Sequence, residues 1–208
     1  MKPLDKIAAA LMLTIPGAAL ADSGLADLQQ QWSICQYQTL AAQKTDCFSA
    51  LSQRAAAAST AAGNSDPALL IWSAIIDSSR AGAEGGLKAL SLVKQARVRL
   101  EKAIAIDPNA LQGSAWTSLG ALYYQVPGWP VGFGDKDKAR EMLKKALAIN
   151  PDGIDPNYFY GDYLLKEDKP EEAKRYLDKA LKAPGRPGRE IADSGRRRDI
   201  AADLARLK

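Results

Sequence analysis

Two cysteines, no histidine and one cluster of aromatic residues between prolines and glycines are the chemically distinctive features of this 208-residue chain. General acid–base and nucleophilic catalysis draw on His, on an activated Ser or on a thiolate. His is absent and no Gly-x-Ser-x-Gly elbow occurs. Asp135, Asp137, Asp152, Asp155 and Asp162 stand near predicted helix starts, where a carboxylate caps free backbone N–H groups. A closed zinc site needs four Cys or His ligands, and only Cys35 and Cys47 are on offer. No catalytic residue, metal or cofactor is therefore assigned, and binding is the chemistry to look for.

The best material for binding is the stretch Val126 to Gly134, which carries Trp129 and Phe133 and follows Tyr123 and Tyr124. An aromatic surface loop stiffened by prolines is how recognition elements are often built. The other reading makes Trp129 a lid that folds back over a gap between helices. A second Gly-rich stretch, Arg80 to Gly86, adds Arg80 as a candidate contact. Its Gly82, Gly85 and Gly86 follow a helix and lack a Gly-Lys-Ser/Thr ending, so they form neither a Walker A loop nor a dinucleotide fingerprint.

Charge and termini set the context. A net charge of +4, falling to +3 without residues 1–21, is too mild for a general nucleic-acid binder. Arg186, Arg189, Arg196, Arg197 and Arg198 cluster behind the breaker Pro184 to Gly188, either as a solvated face or as a surface for an acidic partner or anionic lipid. Lys2, Lys6, the apolar run Ile7 to Ile15 and the small-residue site Ala19-Leu20-Ala21 read as an export signal cleaved after Ala21. The expected location is the periplasm, with no membrane span left after cleavage. In that oxidising compartment Cys35 and Cys47 are expected to pair, contributing about 3 kcal/mol for a loop this short.

The elements that must position these groups are all helical, since no stretch alternates with period two. Segment 22–66 reads as a leading hairpin, with Thr45-Asp46 capping its second helix. Asp66-Pro67 then opens a new helix as N-cap and first residue. From residue 67 to 184 one helical-hairpin phrase recurs three times, with expected helices at 67–81, 87–106, 110–125, 135–149, 155–167 and 170–182. The fullest copy runs Trp116, Leu119, Gly120, Tyr123 and then Ala139, Leu143, Ala146, Pro151. Ala96, Leu100, Ala103 and Pro108 repeat the second half at the same intervals, and so do Ala173, Leu177 and Ala180. Gly120 and Gly161 remove side chains where antiparallel helices approach. Segment 185–208 reads as a basic tail and a capping helix with Ile191, Ile200, Leu204 and Leu207 inward.

These residues resemble the tetratricopeptide repeat (TPR) family, whose phrase is Trp, Leu, Gly, Tyr on helix A and Ala, apolar, Ala, Pro on helix B. The third copy departs from it with Asn157, Tyr160, Gly161 and Leu164, and the first with Ile76 for Gly and Ser79 for Tyr. The implied fold is all-α: antiparallel hairpins stacked as a TPR-like solenoid with a C-terminal cap. Spacings of 44 residues from Trp72 to Trp116 and 34 from Ala146 to Ala180 place two inserted A-to-B loops, expected to be neighbours on one edge. Such an exported chain is also similar to the T component associated with TRAP transporters. That resemblance implies a periplasmic scaffold that contacts a solute-binding protein or carries a hydrophobic ligand. The residues themselves point to a scaffold for a protein or peptide partner, with a small-molecule carrier as the alternative and no enzymatic role.

Overall fold

Each B helix of this chain presents the triplet Ala, Leu, Ala at intervals of four and three, so all three side chains fall on one face. In a computed structural model, which describes residues 17–207, those nine residues are fully buried: Ala96, Leu100 and Ala103, Ala139, Leu143 and Ala146, Ala173, Leu177 and Ala180. The small Ala side chains let the partner helix come close, and the Leu between them fills the space left by its glycine. A Cβ built on Gly120 would lie 2.6 Å from Leu143 Cγ, and one on Gly161 would lie 2.8 Å from Leu177 Cγ. Any side chain at either position collides with the knob it exists to receive.

The described residues form nine α-helices and a short 3-10 turn at Ala41–Gln43. Helices α1 (Gly17–Tyr37) and α2 (Lys44–Ala61) make the leading hairpin, joined by the Cys35–Cys47 disulfide. The three repeat pairs are α3 (Pro67–Glu84) with α4 (Gly86–Ile106), α5 (Ala110–Gln125) with α6 (Lys136–Ile149), and α7 (Ile154–Lys166) with α8 (Pro170–Lys182). Helix α9 (Glu190–Ala205) is the cap. Together they stack as a helical solenoid, and no strand forms among the described residues. The expected export segment lies outside the described residues except for 17–21, the first turns of α1.

Local expectations fared unevenly. Asp66 does cap α3, accepting from Ala68 N at 2.8 Å and Leu69 N at 3.2 Å with Pro67 behind it. Thr45-Asp46 does not cap α2, which begins one residue earlier behind Gln43 without a side-chain cap; Thr45 Oγ1 instead donates to Ala83 O. The first inserted loop does not exist. Its residues extend the two helices, which meet at Gly85 with φ of 68°, a left-handed joint that suits glycine. Helix α5 starts with three residues of positive φ, Leu111, Gln112 and Gly113, and turns right-handed only beyond them. That turn packs on the end of α6, where Gln112 Oε1 accepts from Asn150 Nδ2 and a Cβ on Gly113 would meet Ile149 at 3.1 Å.

Two departures from the repeat phrase in the first copy have uses. Ile76, at the glycine position, is fully buried in the cluster shared with the leading hairpin. Ser79, at the Tyr position, accepts a 2.8 Å hydrogen bond from the Trp32 indole N–H and so fixes α1 on α3. Trp32 also meets Trp72 edge-on, with centroids 5.7 Å apart. A buried carboxylate joins the next layer: Asp77 accepts from Ser52 Oγ at 2.6 Å and pairs with Arg99, tying α2, α3 and α4 together.

The solenoid closes on itself. Helix α9 packs on α8, α7 and α1, while α1 packs on α3. The tail arginines make this closure, which corrects both expectations for them. Asp155 accepts from Arg186 Nη1 at 2.7 Å and Arg196 Nε at 3.0 Å. Arg196, its side chain only 11% exposed, lies over the rings of Tyr158 and Phe159. Arg189 covers Trp72, Arg197 donates to Ala183 O, and Arg186 holds the buried Asp193 with its backbone and guanidinium. Arg198 alone of the five is exposed. Clustered arginines are normally solvated, but here carboxylates and ring faces replace the water.

Candidate functional site

Segment Val126–Asp135 is a ten-residue loop that folds on itself. Gly134 N donates to Pro127 O at 2.9 Å, Gly132 N to Gly128 O at 3.1 Å, and Asp135 N to Tyr123 O at 2.8 Å. Gly128 and Gly134 pair as an isolated bridge, and the Trp129-Pro130 peptide is cis. A Cβ on Gly134 would collide with Val126 O, and one on Gly132 would collide with Pro127 O. Glycine is required there because backbone passes directly against backbone. Asp135 ends the loop by capping α6, accepting from Asp137 N and Lys138 N. A loop closed by its own hydrogen bonds holds its side chains in a defined place.

The five candidate contacts separate in space. Trp129 is 90% exposed at the loop's tip, so it is no lid. Phe133 is the ring that folds back, edge-on to buried Tyr123 at 5.7 Å and under the Arg97 guanidinium at 4.8 Å. Tyr124 points away to α7, where its hydroxyl donates to Asp162 at 2.6 Å and Lys166 lies over its ring. Burial first, then the Asp162 charge and that hydrogen bond, push the Tyr124 hydroxyl well above its ordinary pKa. Arg80 belongs to α3, paired with Glu84 at 2.7 Å. Trp116 is less buried than its repeat position implies: its indole donates to Pro108 O, and Lys145 lies 4.7 Å over the ring.

The loop lies on α4, where a Cβ on Gly132 would stand 3.5 Å from Leu90 Cδ1, while the first of the two stretches expected to neighbour each other as loops is helix on both sides of Gly85. Loop and helix enclose a cleft of about 290 Å³ lined by Lys94, Arg97, Val98 and residues 130–133. Of its lining residues, Val98 and Val131 are exposed. Lys94 and Val98 were not singled out from the sequence, though the signal was present: they share one face of α4, where Val98 interrupts a polar row. Helix α9 packs on α8, α1 and α7, with Arg196 over Tyr158 and Phe159 and Arg189, just before the helix, over Trp72. Among the described residues no group of His, Cys, Asp or Glu is placed to hold a metal ion, and no helix is long and apolar enough to cross a membrane.

Residues 131–187 match the tetratricopeptide repeat family. The match begins inside the loop and runs through α6, α7 and α8, where the glycine and Ala-Leu-Ala positions of both halves of the phrase occur. No curated protein matches the chain. Among solved structures, a thermophilic TPR protein of Thermus thermophilus aligns over 89% of this chain and 99% of its own, with 17% identity and a TM-score of 0.47.

Proposed function

We propose that this chain is an exported scaffold that binds a protein partner through the 126–135 loop and the adjoining face of α4, without catalysing a reaction. The observation that carries this is the placement of Trp129. A large indole, 90% exposed, stands on a loop held by its own hydrogen bonds, and buried aromatic anchors of that kind supply most of the energy of protein interfaces. A tetratricopeptide match over 131–187 agrees with an interaction module, and α9 covers part of α7 and α8, which leaves the loop and α4 free. Export is supported by the sequence of residues 1–21 and by the Cys35–Cys47 pairing, which persists in oxidising compartments.

A photo-crosslinking residue at position 129 tests this in a Gram-negative host expressing the full chain. Osmotic shock should release a chain starting at residue 22, and irradiation should join it to a discrete protein. Retention with the cytoplasm would remove the export reading, and absence of any protein adduct would remove the scaffold reading. The second reading, a carrier in TRAP-type solute uptake, is favoured by one feature, the cleft beside Phe133. At about 290 Å³ it stands at the lower edge of small-molecule sites. A stoichiometric organic acid or lipid released from the purified protein would favour the carrier over the scaffold.

A further inference from the structure

The outer layer next to the loop has a one-sided charge. Helix α4 carries Lys88, Lys94, Arg97, Arg99 and Lys102 against Glu101 alone, and α6 carries five basic residues against Asp137 and Glu141. The A helices differ: α5 carries no charge, and α7 has Asp155 and Asp162 against Lys166. Some outer cations are neutralised in place, Arg99 by Asp77 and Arg140 by Asp137. Lys88, Lys94 and Lys102 are exposed and in no ion pair among the described residues. Arg97 is fixed from two sides, by Glu101 at 3.2 Å and by the Phe133 ring beneath it, so its remaining N–H donors are held at the cleft wall.

Lys94 and Arg97 thus border a slot whose other walls are Val98, Pro130, Val131, Gly132 and Phe133, and the exposed Trp129 immediately precedes Pro130 in the chain. Such a surface selects a ligand that places negative charge within a few ångströms of an apolar side chain. A purely apolar segment would leave Lys94 desolvated without a partner and Arg97 with Glu101 alone, and a purely acidic one would leave Val98 and Val131 uncovered. Resting on the scaffold reading above, we infer that the partner binds here through an acidic segment bearing one large apolar residue, which enters the slot while its carboxylates face Lys94 and Arg97. Such a segment needs no preformed structure, and the paired charges speed its encounter with the basic edge. A recessed slot, rather than a smooth row of apolar tips, favours a peptide over a lipid surface.

Random twelve-residue peptides displayed on phage and selected on the full oxidised chain provide the probe. The expected enrichment is for two or more Asp or Glu flanking a Leu, Ile, Phe or Trp. Synthetic versions should weaken at least tenfold on Lys94→Glu and on Val98→Asp, weaken with added salt, and bind Lys182→Glu as well as the wild type. Circular dichroism should be unchanged, since the three substituted side chains are exposed. Enrichment of basic or uncharged peptides, or insensitivity to Lys94→Glu, overturns the inference. No enrichment overturns it as well. So does binding to phosphatidylglycerol vesicles that Lys94→Glu abolishes while no peptide is selected, and the edge is then a membrane contact. A protein adduct from position 129 together with any of these failures leaves the scaffold standing and removes only the partner class; loss of both removes both.

Discussion

At the α5–α6 seam Gly120 makes room for Leu143, and at the α1–α9 contact Gly195 makes room for Tyr37, whose ring a Cβ would strike. Both regions use a missing side chain to admit a large one, yet what surrounds each knob differs. The seam is apolar, with fully buried Ala139 and Ala146 beside Leu143, and it joins residues about twenty positions apart. The clasp is ionic and aromatic: the Tyr37 hydroxyl donates to Asp199 at 2.9 Å, Arg196 donates to both Asp199 and Asp155, and Arg186 donates to Asp155. Its contacts span up to 162 residues. Burying apolar surface locally stabilises a repeat with little loop entropy to overcome, whereas the clasp needs every partner delivered by the completed fold.

If the seam depends on close approach, Gly120→Leu forces Leu143 and the α6 backbone away, destabilising the chain by about 3 kcal/mol. Hydrogen exchange should then show α5 and α6 losing protection first, and an unchanged melting temperature would mean the two helices are not in this register. Arg196→Ala attacks the clasp instead. It leaves Asp155 without one of its two cations, and breaking a buried pair typically costs about 3 to 5 kcal/mol; Asp155 is partly exposed, so about 2 to 3 kcal/mol is expected. Here α9 should exchange early while α5 and α6 keep their protection, and simultaneous loss in both regions would dissolve the distinction between them.

Acid offers a milder test of the clasp. Burial alone would raise the Asp155 pKa, but Arg196, Arg186 and Arg189 outweigh it and hold the carboxyl at about 2, down from 3.8. A folded-state pKa below the unfolded one stabilises the fold above about 4, and that stabilisation disappears as pH falls from 4 towards 2. The loss is about 2 kcal/mol, and Asp155→Asn should abolish this part of the pH dependence. Equal slopes of stability against pH in the two proteins would show that Asp155 is not held this way. The smallest effect belongs to the loop: Trp129→Ala should change stability by less than about 0.5 kcal/mol, because the indole is exposed and its loop is closed through backbone. A larger loss in thermal melts would mean that the indole packs onto the repeats after all.

The seams were legible because their causes are local. Gly120 and Gly161 precede Leu143 and Leu177 by a short interval, and a helix turns a sequence interval into a shared face without help from the rest of the chain. Local reasoning also placed Asp66 as a cap, whereas the pairing of Cys35 with Cys47 was expected from the export signal. It misread Arg80 to Gly86, where composition pointed to a loop but the helices continue to Glu84 and from Gly86, with Gly85 N still donating to Ala81 O. It also could not divide the aromatic cluster. Tyr123 and Tyr124 are adjacent, and successive helical residues point about 100° apart, so one ring meets Phe133 and the other Asp162.

By itself the sequence determined the all-helical class, the repeat register, the small-residue seams and the presence of an aromatic loop, since each follows from intervals shorter than a hairpin. Only the tertiary structure decided that the tail arginines are internal clasps and that Trp129 rather than Phe133 faces water. It alone placed the loop against Lys94, Arg97 and Val98 of the preceding repeat. Those outcomes depend on which surfaces meet across long stretches of chain. A charged or aromatic side chain is content in water, over a ring or beside a carboxylate, and only its neighbours in the completed fold select among them.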